Sequence, residues 1–357
     1  MALIQRHPLL TASAVIGISL VASSSLMAWD GVVEKQTFEM ENFTTQGGMT
    51  IPEVTVGWEA YGELNDARDN VILITHFFSG TSHAAGRYEE DGQPTGYWDA
   101  IIGPGKPLDT DEYYIISSDT LVNLGANDPN VTTTGPASIN PDTGEPWGMD
   151  FPVVTIRDER LISVIGGGVA DPWLLATLSA WAAPIRLDAN WNKGDYYDGE
   201  PPTDGLKEAL KLVTLNANHW QWANETFNRD WADEARDPAQ DINARYAIEQ
   251  TLDEVAAARA ATSDANHLLY LVRANQTFMA GHGDSLEAGL AAIEAPTLML
   301  YSENDLVFAP QGVRRTAELI EADGTDVTIE TLEGNRGHLD GVLSIDQASD
   351  TLRAFLR

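Results

Sequence analysis

The chain of 357 residues has no cysteine, which excludes disulfides, thiolate metal sites and cysteine nucleophiles together. Positive charge is scarce as well: 21 lysines and arginines stand against 54 aspartates and glutamates, for a formal net charge of −33. Such a field repels phosphate backbones and anionic bilayers, so no nucleic-acid partner is expected. The acidity itself reads as a solvated surface and names no substrate. Beyond residue 28 no apolar run is long enough to cross a bilayer. Motifs are missing too: there is no H-E-x-x-H, no G-x-G-x-x-G, no Walker lysine and no G-x-S-x-G. His76 and His83 lie seven apart beside a strand end without an accompanying carboxylate cluster, so neither a metal nor another cofactor is expected.

What is present begins with "MALIQRHPLLTASAVIGISLVASSSLMAWDG". Arg6 and His7 precede an apolar run from Pro8 to Val21 and small residues at Ala22 to Ser25. That is the layout of a signal peptide over residues 1–28, and it predicts a periplasmic or secreted protein with no stable membrane insertion after cleavage. An uncleaved N-terminal anchor is the alternative, because Leu26 makes a cleavage site after Ala28 imperfect.

A content of 43% hydrophobic and 8% aromatic residues suffices for a substantial core. "VVEKQTFEM" and "IPEVTVGWEAYG" alternate as a pair of antiparallel strands would, while "NVILITH" and "YYIISSD" are continuous runs of the kind found in buried parallel strands. From residue 171 to about 290 the texture turns helical in "GLKEALKLVTL", "INARYAIEQTLDEVAAARAA" and "ANHLLYLVRANQTFM". "APTLMLYSEND" and "DVTIETLEG" then return to buried strands around a helix at "GVRRTAELIEAD". The plan is an α/β core split in sequence: residues 29–170 as its first part, 171–290 as an inserted helical lid, and 291–357 as its second part.

Three segments carry candidate chemistry. "HFFSGTSHAAG" ends a parallel strand, where open α/β folds place ligands and where backbone amides can stabilise an oxyanion. Asp305 follows the strand "TLMLY", and His338 sits in a glycine-flanked loop after "DVTIETL". Taken singly, Asp305 reads as a turn or helix-capping carboxylate and His338 as an exposed loop histidine. Taken together they stand in the order in which Ser-Asp-His hydrolases place acid and base after their last strands. Ser82 in "GTSHA" and Ser285 in "GDSLE" imitate a nucleophile motif most nearly, but lack its second glycine and read as loop or cap serines.

"HFFSGTSHAAG", "GYWDAIIGPGKPLDTDEYYIISSD", "TTGPASINPDTGEPWGMDFPVVTIRD", "GDYYDGEPPTDGL" and "APTLMLYSENDLVFAP" resemble the homoserine O-acetyltransferases, a branch of the α/β-hydrolase superfamily, from about residue 35 to the end. The resemblance implies an α/β-hydrolase fold, a doubly wound and mostly parallel sheet with a helical lid. It also implies acyl transfer from a small-molecule acyl donor or ester through a Ser-Asp-His triad, with no cofactor. It maps the acid onto Asp305, the base onto His338 and an oxyanion-hole amide onto Phe78. A homodimer is kept open beside the monomer.

Departures from the family pattern are equally informative. After "FPVVTIRD" the family runs through a helix and a strand into an elbow of the form G-G-S-M-G-G, whereas here Glu159 follows directly and leads to "ERLISVIGGG". Either this is the elbow strand with Gly168 in place of serine, or it is the next strand, brought forward by loss of everything between. The second fits better, because "GVADPWLLATLSAWAAPIRLDANW" lacks the small-residue helix that follows an elbow. The loss would amount to roughly 40 residues and one central strand. No nucleophile is therefore assigned. Leu339 stands where the family has an aspartate after the histidine, with Asp340 one place later, and "NANHWQWANETFNRDWADE" lacks the arginine pattern for an amino-acid carboxylate. Both features, with the expected export away from acetyl-CoA, favour an acyl-ester hydrolase over homoserine as acceptor. Trp173, Trp181, Trp220 and Trp222 could line an acyl pocket, though core packing is the commoner use. Two alternatives remain: a ligand-binding pseudoenzyme, or an internally deleted copy that folds poorly.

Overall fold

The computed structural model of the chain describes residues 29–90, 92, 94–155, 171–279, 285–322 and 324–357. The expected signal peptide and the stretch with Gly166, Gly167 and Gly168 lie outside the described residues.

The chain enters through a hairpin, β1 (Gln36–Thr44) and β2 (Thr50–Tyr61), paired antiparallel with Phe38 opposite Val56. β2 turns Ile51, Val54, Gly57, Glu59 and Tyr61 inward. Its last four residues cross antiparallel onto β4 (Tyr114–Ser118), and β4 pairs parallel with β3 (Val71–Thr75). The strand order is thus β1-β2-β4-β3. A second, two-stranded parallel sheet joins β5 (Thr297–Tyr301) to β6 (Val327–Thr331). The β3–β4 pair is the one expected from the continuous apolar runs; β6, expected to be buried, is instead open, with Thr328, Ile329 and Thr331 exposed.

β3 has a ladder on one side only among the described residues. One of its faces is open as well: Val71 is 47% and Leu73 52% exposed, unusual values for a "VILIT" strand built to be enclosed.

Between the two sheets the described regular structure is helical. α1 (Pro172–Leu187) starts where Asp171 accepts a bond from the Leu174 amide and Pro172 occupies the first turn, a preorganised N-terminus. Leu174, Leu178, Trp181 and Ile185 fall on one face and meet α2 (Thr203–Ala217), which contributes Leu206, Ala209, Leu210 and Val213. Leu178→Ala at this contact should cost about 3 kcal/mol. α3 (Trp220–Phe227) and α4 (Ala247–Ala260) follow; the Glu249 carboxylate bonds back to the Tyr246 amide at 2.7 Å to cap α4. α5 (Ala265–Gln276) is buried almost all round, with Asp264 capping it through the His267 amide. Asp264 also accepts from the Tyr196 and Tyr197 hydroxyls. α6 (Leu286–Ala291) leads into β5. α7 (Pro310–Glu321) then covers the second sheet with Val313, Ala317 and Ile320, and α8 (Asp340–Leu343) and α9 (Ser349–Phe355) end the chain. Leu332, Ile345 and Ala348 from this last part share a buried cluster with Ile74, Ile101 and Ile115, which joins it to the first sheet. Among the described residues no helix is long and apolar enough to cross a membrane.

Candidate active site

β5 ends at Tyr301, and the loop after it is organised by Asp305. One carboxylate oxygen, Oδ1, accepts from the Val307 amide at 2.7 Å and the Phe308 amide at 2.8 Å, an arrangement a short acidic side chain makes with its own downstream backbone. That leaves Oδ2 aimed out of the turn, where His338 Nδ1 meets it at 2.9 Å. The carboxylate is 11% and the imidazole 23% exposed, so the pair is shielded without being sealed.

His338 reaches that position from β6. The Leu332 amide bonds to Tyr301 O at 2.7 Å, and Asn304 Nδ2 donates to Gly334 O at 3.1 Å, tying the acid and base loops together. Gly337 adopts φ +62°, and a Cβ there would sit 2.9 Å from Asn304 O, so this close approach needs glycine. Phe308 lies against the imidazole with ring centroids 5.3 Å apart. Because Nδ1 donates to a carboxylate, Nε2 is the proton-accepting nitrogen, and no described side chain bonds to it. An imidazole in this state can take a proton from a hydroxyl and return it to a leaving group.

The strand-ending loop after β3 carries Phe78. No described residue accepts from its backbone amide, while its ring meets Trp181 edge-on at 5.5 Å. Phe78 and Phe308 both pack on the buried cluster that contains Trp181 and Val307, so the candidate oxyanion loop and the acid–base pair share one apolar support.

What holds that loop was not read from the sequence. Glu59 on β2 is fully buried and accepts from Tyr61 OH at 3.0 Å, Tyr88 OH at 2.7 Å, Ser82 Oγ at 3.2 Å and His83 Nδ1 at 3.1 Å. Lys35 Nζ approaches the same carboxylate at 3.1 Å, Asp119 at 3.2 Å and the Ser82 hydroxyl. Burial alone would raise the Glu59 carboxyl, but the bond from His83, the Lys35 charge and the Tyr88 hydroxyl outweigh it and hold it at about 2. Asp119 takes the Ser82 amide at 2.7 Å, and Asn123 donates to His76 Nε2 at 3.1 Å and to Gly80 O at 3.0 Å. The signal in the sequence was a glutamate in phase with the inward positions Gly57 and Tyr61 of β2.

The remaining candidates separate. Ser82 is completely buried in this network, and Ser285 caps α6 by accepting from the Ala288 amide at 3.2 Å. His76 and His83 are held by different partners, Asn123 and Glu59. Asp340 is fully buried and takes the Ser302 and Ser344 hydroxyls at 3.3 and 3.0 Å, so it faces the interior. Of the tryptophans, Trp181 is core, Trp173 and Trp220 are 65% and 61% exposed, and Trp222 lies under the Arg336 guanidinium. Gly168 is outside the described residues. A cavity of about 480 Å³ lies elsewhere, against Tyr196, Leu206 and Asp264 in the helical region, and the acid–base pair takes no part in it.

No protein-family model matches the chain. A homoserine O-acetyltransferase of Methanohalobium evestigatum is 32% identical to it across an alignment of 368 positions, which covers 91% of this chain and 74% of the relative. Among solved structures, esterase E22 superposes with a TM-score of 0.85 at 45% identity, covering 91% of this chain and all of that one. The homoserine O-acetyltransferase of Bacillus anthracis superposes at 0.83 with 30% identity, covering 91% and 98%.

Proposed function

The chain belongs to the homoserine O-acetyltransferase family of α/β-hydrolases, and on that footing we propose that it presents the acid–base half of an acyl-ester hydrolase site without the serine that would be acylated. The observation that carries this reading is the Asp305–His338 bond at 2.9 Å, with Nε2 left unbonded among the described residues. In the proposed roles Asp305 orients the imidazole and stabilises its charged form, His338 would take the proton of an attacking hydroxyl and return it to the leaving alkoxide of a small-molecule ester, and the Phe78 amide faces the oxyanion.

Hydrolysis is favoured over transfer to homoserine by two features: the 45% identity to esterase E22 against 30% to the Bacillus anthracis transferase, and Leu339 directly after the base. Loss of the nucleophile segment is supported by the lengths. The alignment to the Methanohalobium evestigatum protein runs over 368 positions, whereas 91% of 357 residues is about 325, so about 43 positions of it hold no residue of this chain. A strand, an elbow and their flanking helices occupy about that length. The half-exposed Val71 and Leu73 of β3 support the same reading, since the helices that flank a central strand would cover that face. Export remains part of the proposal, supported by the N-terminal charge and apolar pattern and by the lack of cysteine.

Hydrolysis of short-chain nitrophenyl esters tests the assignment. The chain should stay at the rate of a His338→Ala variant, and insertion of a strand–G-x-S-x-G–helix segment after residue 158 should raise turnover by several orders of magnitude. Turnover of the unaltered chain that depends on His338 and on one serine would overturn the proposal.

A further inference from the structure

Three successive residues of the base loop meet the lid helix α3 in reverse order. Asn335 Nδ2 donates to Glu225 Oε2 at 2.5 Å. The Arg336 guanidinium lies over the Trp222 ring, 4.8 Å from its centroid. Gly337 packs on the helix cap, where a Cβ would come within 3.3 Å of His219 N. Residues 219, 222 and 225 are three apart and therefore fall along one stripe of the helix. His338 is the next residue of the loop.

The middle contact is set apart by its chemistry. The Arg336 guanidinium makes no ion pair or hydrogen bond to a described residue, its Nε is buried without a partner, and the acidic side chain whose charge reaches it is the buried Asp340. The aromatic face of Trp222 is its described anchor. A planar guanidinium stacks on such a face where an ammonium offers only a point charge.

We propose that Trp222, acting through Arg336, is a positioning residue for His338, so that the lid helix fixes the orientation of the base. On this view the sheet supplies the acid through the Asp305 turn, and the lid sets the imidazole against it. Displacing α3 would then loosen the His338–Asp305 bond without touching either side chain. This rests on the reading of Asp305 and His338 as the acid–base pair, and deepens it.

The test is the imidazole Nδ1 proton of His338, observed by NMR in the histidine-labelled full chain and identified as the resonance that Asp305→Asn removes. The His267 Nδ1 proton, bonded to Asn123 O at 2.8 Å away from α3, is the internal control. In Trp222→Leu and Arg336→Gln, exchange of the His338 proton with water should quicken about tenfold or more, in line with loss of a partly buried cation–π contact. His267 should keep its rate, and Arg336→Lys should fall between. A merely structural role would speed both protons together, and that result, or an unchanged His338 rate, overturns the proposal. If Trp222→Leu does not fold, Arg336→Gln alone decides: selective quickening at His338 supports the proposal and an unchanged rate refutes it. A wild-type chain in which Asp305→Asn removes no resonance would instead sink the acid–base reading beneath it.

Discussion

Asp305 and His338, 33 positions apart in the chain, are joined at 2.9 Å by a carboxylate whose other oxygen is occupied by two backbone amides. One side chain therefore builds its own loop and aims the imidazole. Asp305→Ala removes all three bonds and should lower stability by about 2–3 kcal/mol, since hydrogen bonds to a charged group are the stronger kind. A urea titration reads this as an earlier midpoint. An unchanged midpoint would mean that the loop does not depend on the carboxylate.

Stability should fall in two stages on acidification. Burial pushes the His76 and His267 imidazoles below the ordinary 6.5, so the unfolded chain binds protons more readily than the folded one once pH drops below 6.5. Each contributes a loss of up to about 1.4 kcal/mol per pH unit from there down to its folded value. Glu59, held at about 2 against an ordinary 4.5, contributes stability that is complete above 4.5 and lost between 4.5 and 2, worth roughly 3 kcal/mol. Denaturant midpoints at a series of pH values check this. In Glu59→Gln the lower stage should disappear while the upper one stays; a flat profile from pH 7 to 5 would contradict the histidine part.

The side of β3 on which no described strand pairs should behave as an adhesive edge. Leu73 is 52% exposed in a strand with no lysine, proline or bulge to blunt it. Leu73→Lys should reduce hydrophobic-dye binding and concentration-dependent light scattering without lowering the melting temperature. Equal dye binding in both proteins would show that this edge is covered in solution.

Much of the layout was legible because it depends on local pattern. The runs at 71–75 and 297–301 are strands since β-branched and aromatic residues without polar alternation suit enclosed parallel ladders. The change to helical texture at residue 171 coincides with the start of α1, where Asp171 caps the helix and Pro172 fills its first turn. Asp305 and His338 were found because each follows a strand end, a position that topology brings to one edge. Glu59 was hidden for the opposite reason: apart from Tyr61, its partners Lys35, Ser82, His83 and Tyr88 lie outside its own stretch of sequence. The α3 stripe was equally hidden, because Trp222 and Arg336 are 114 positions apart and meet only when α3 lies over the loop that carries His338.

The most direct measurement is active-site labelling of the purified chain with a fluorophosphonate, read by intact mass. No adduct is expected if, as proposed, no serine hydroxyl stands opposite the imidazole at 338. One stoichiometric adduct on a single serine, abolished by His338→Ala, would contradict it.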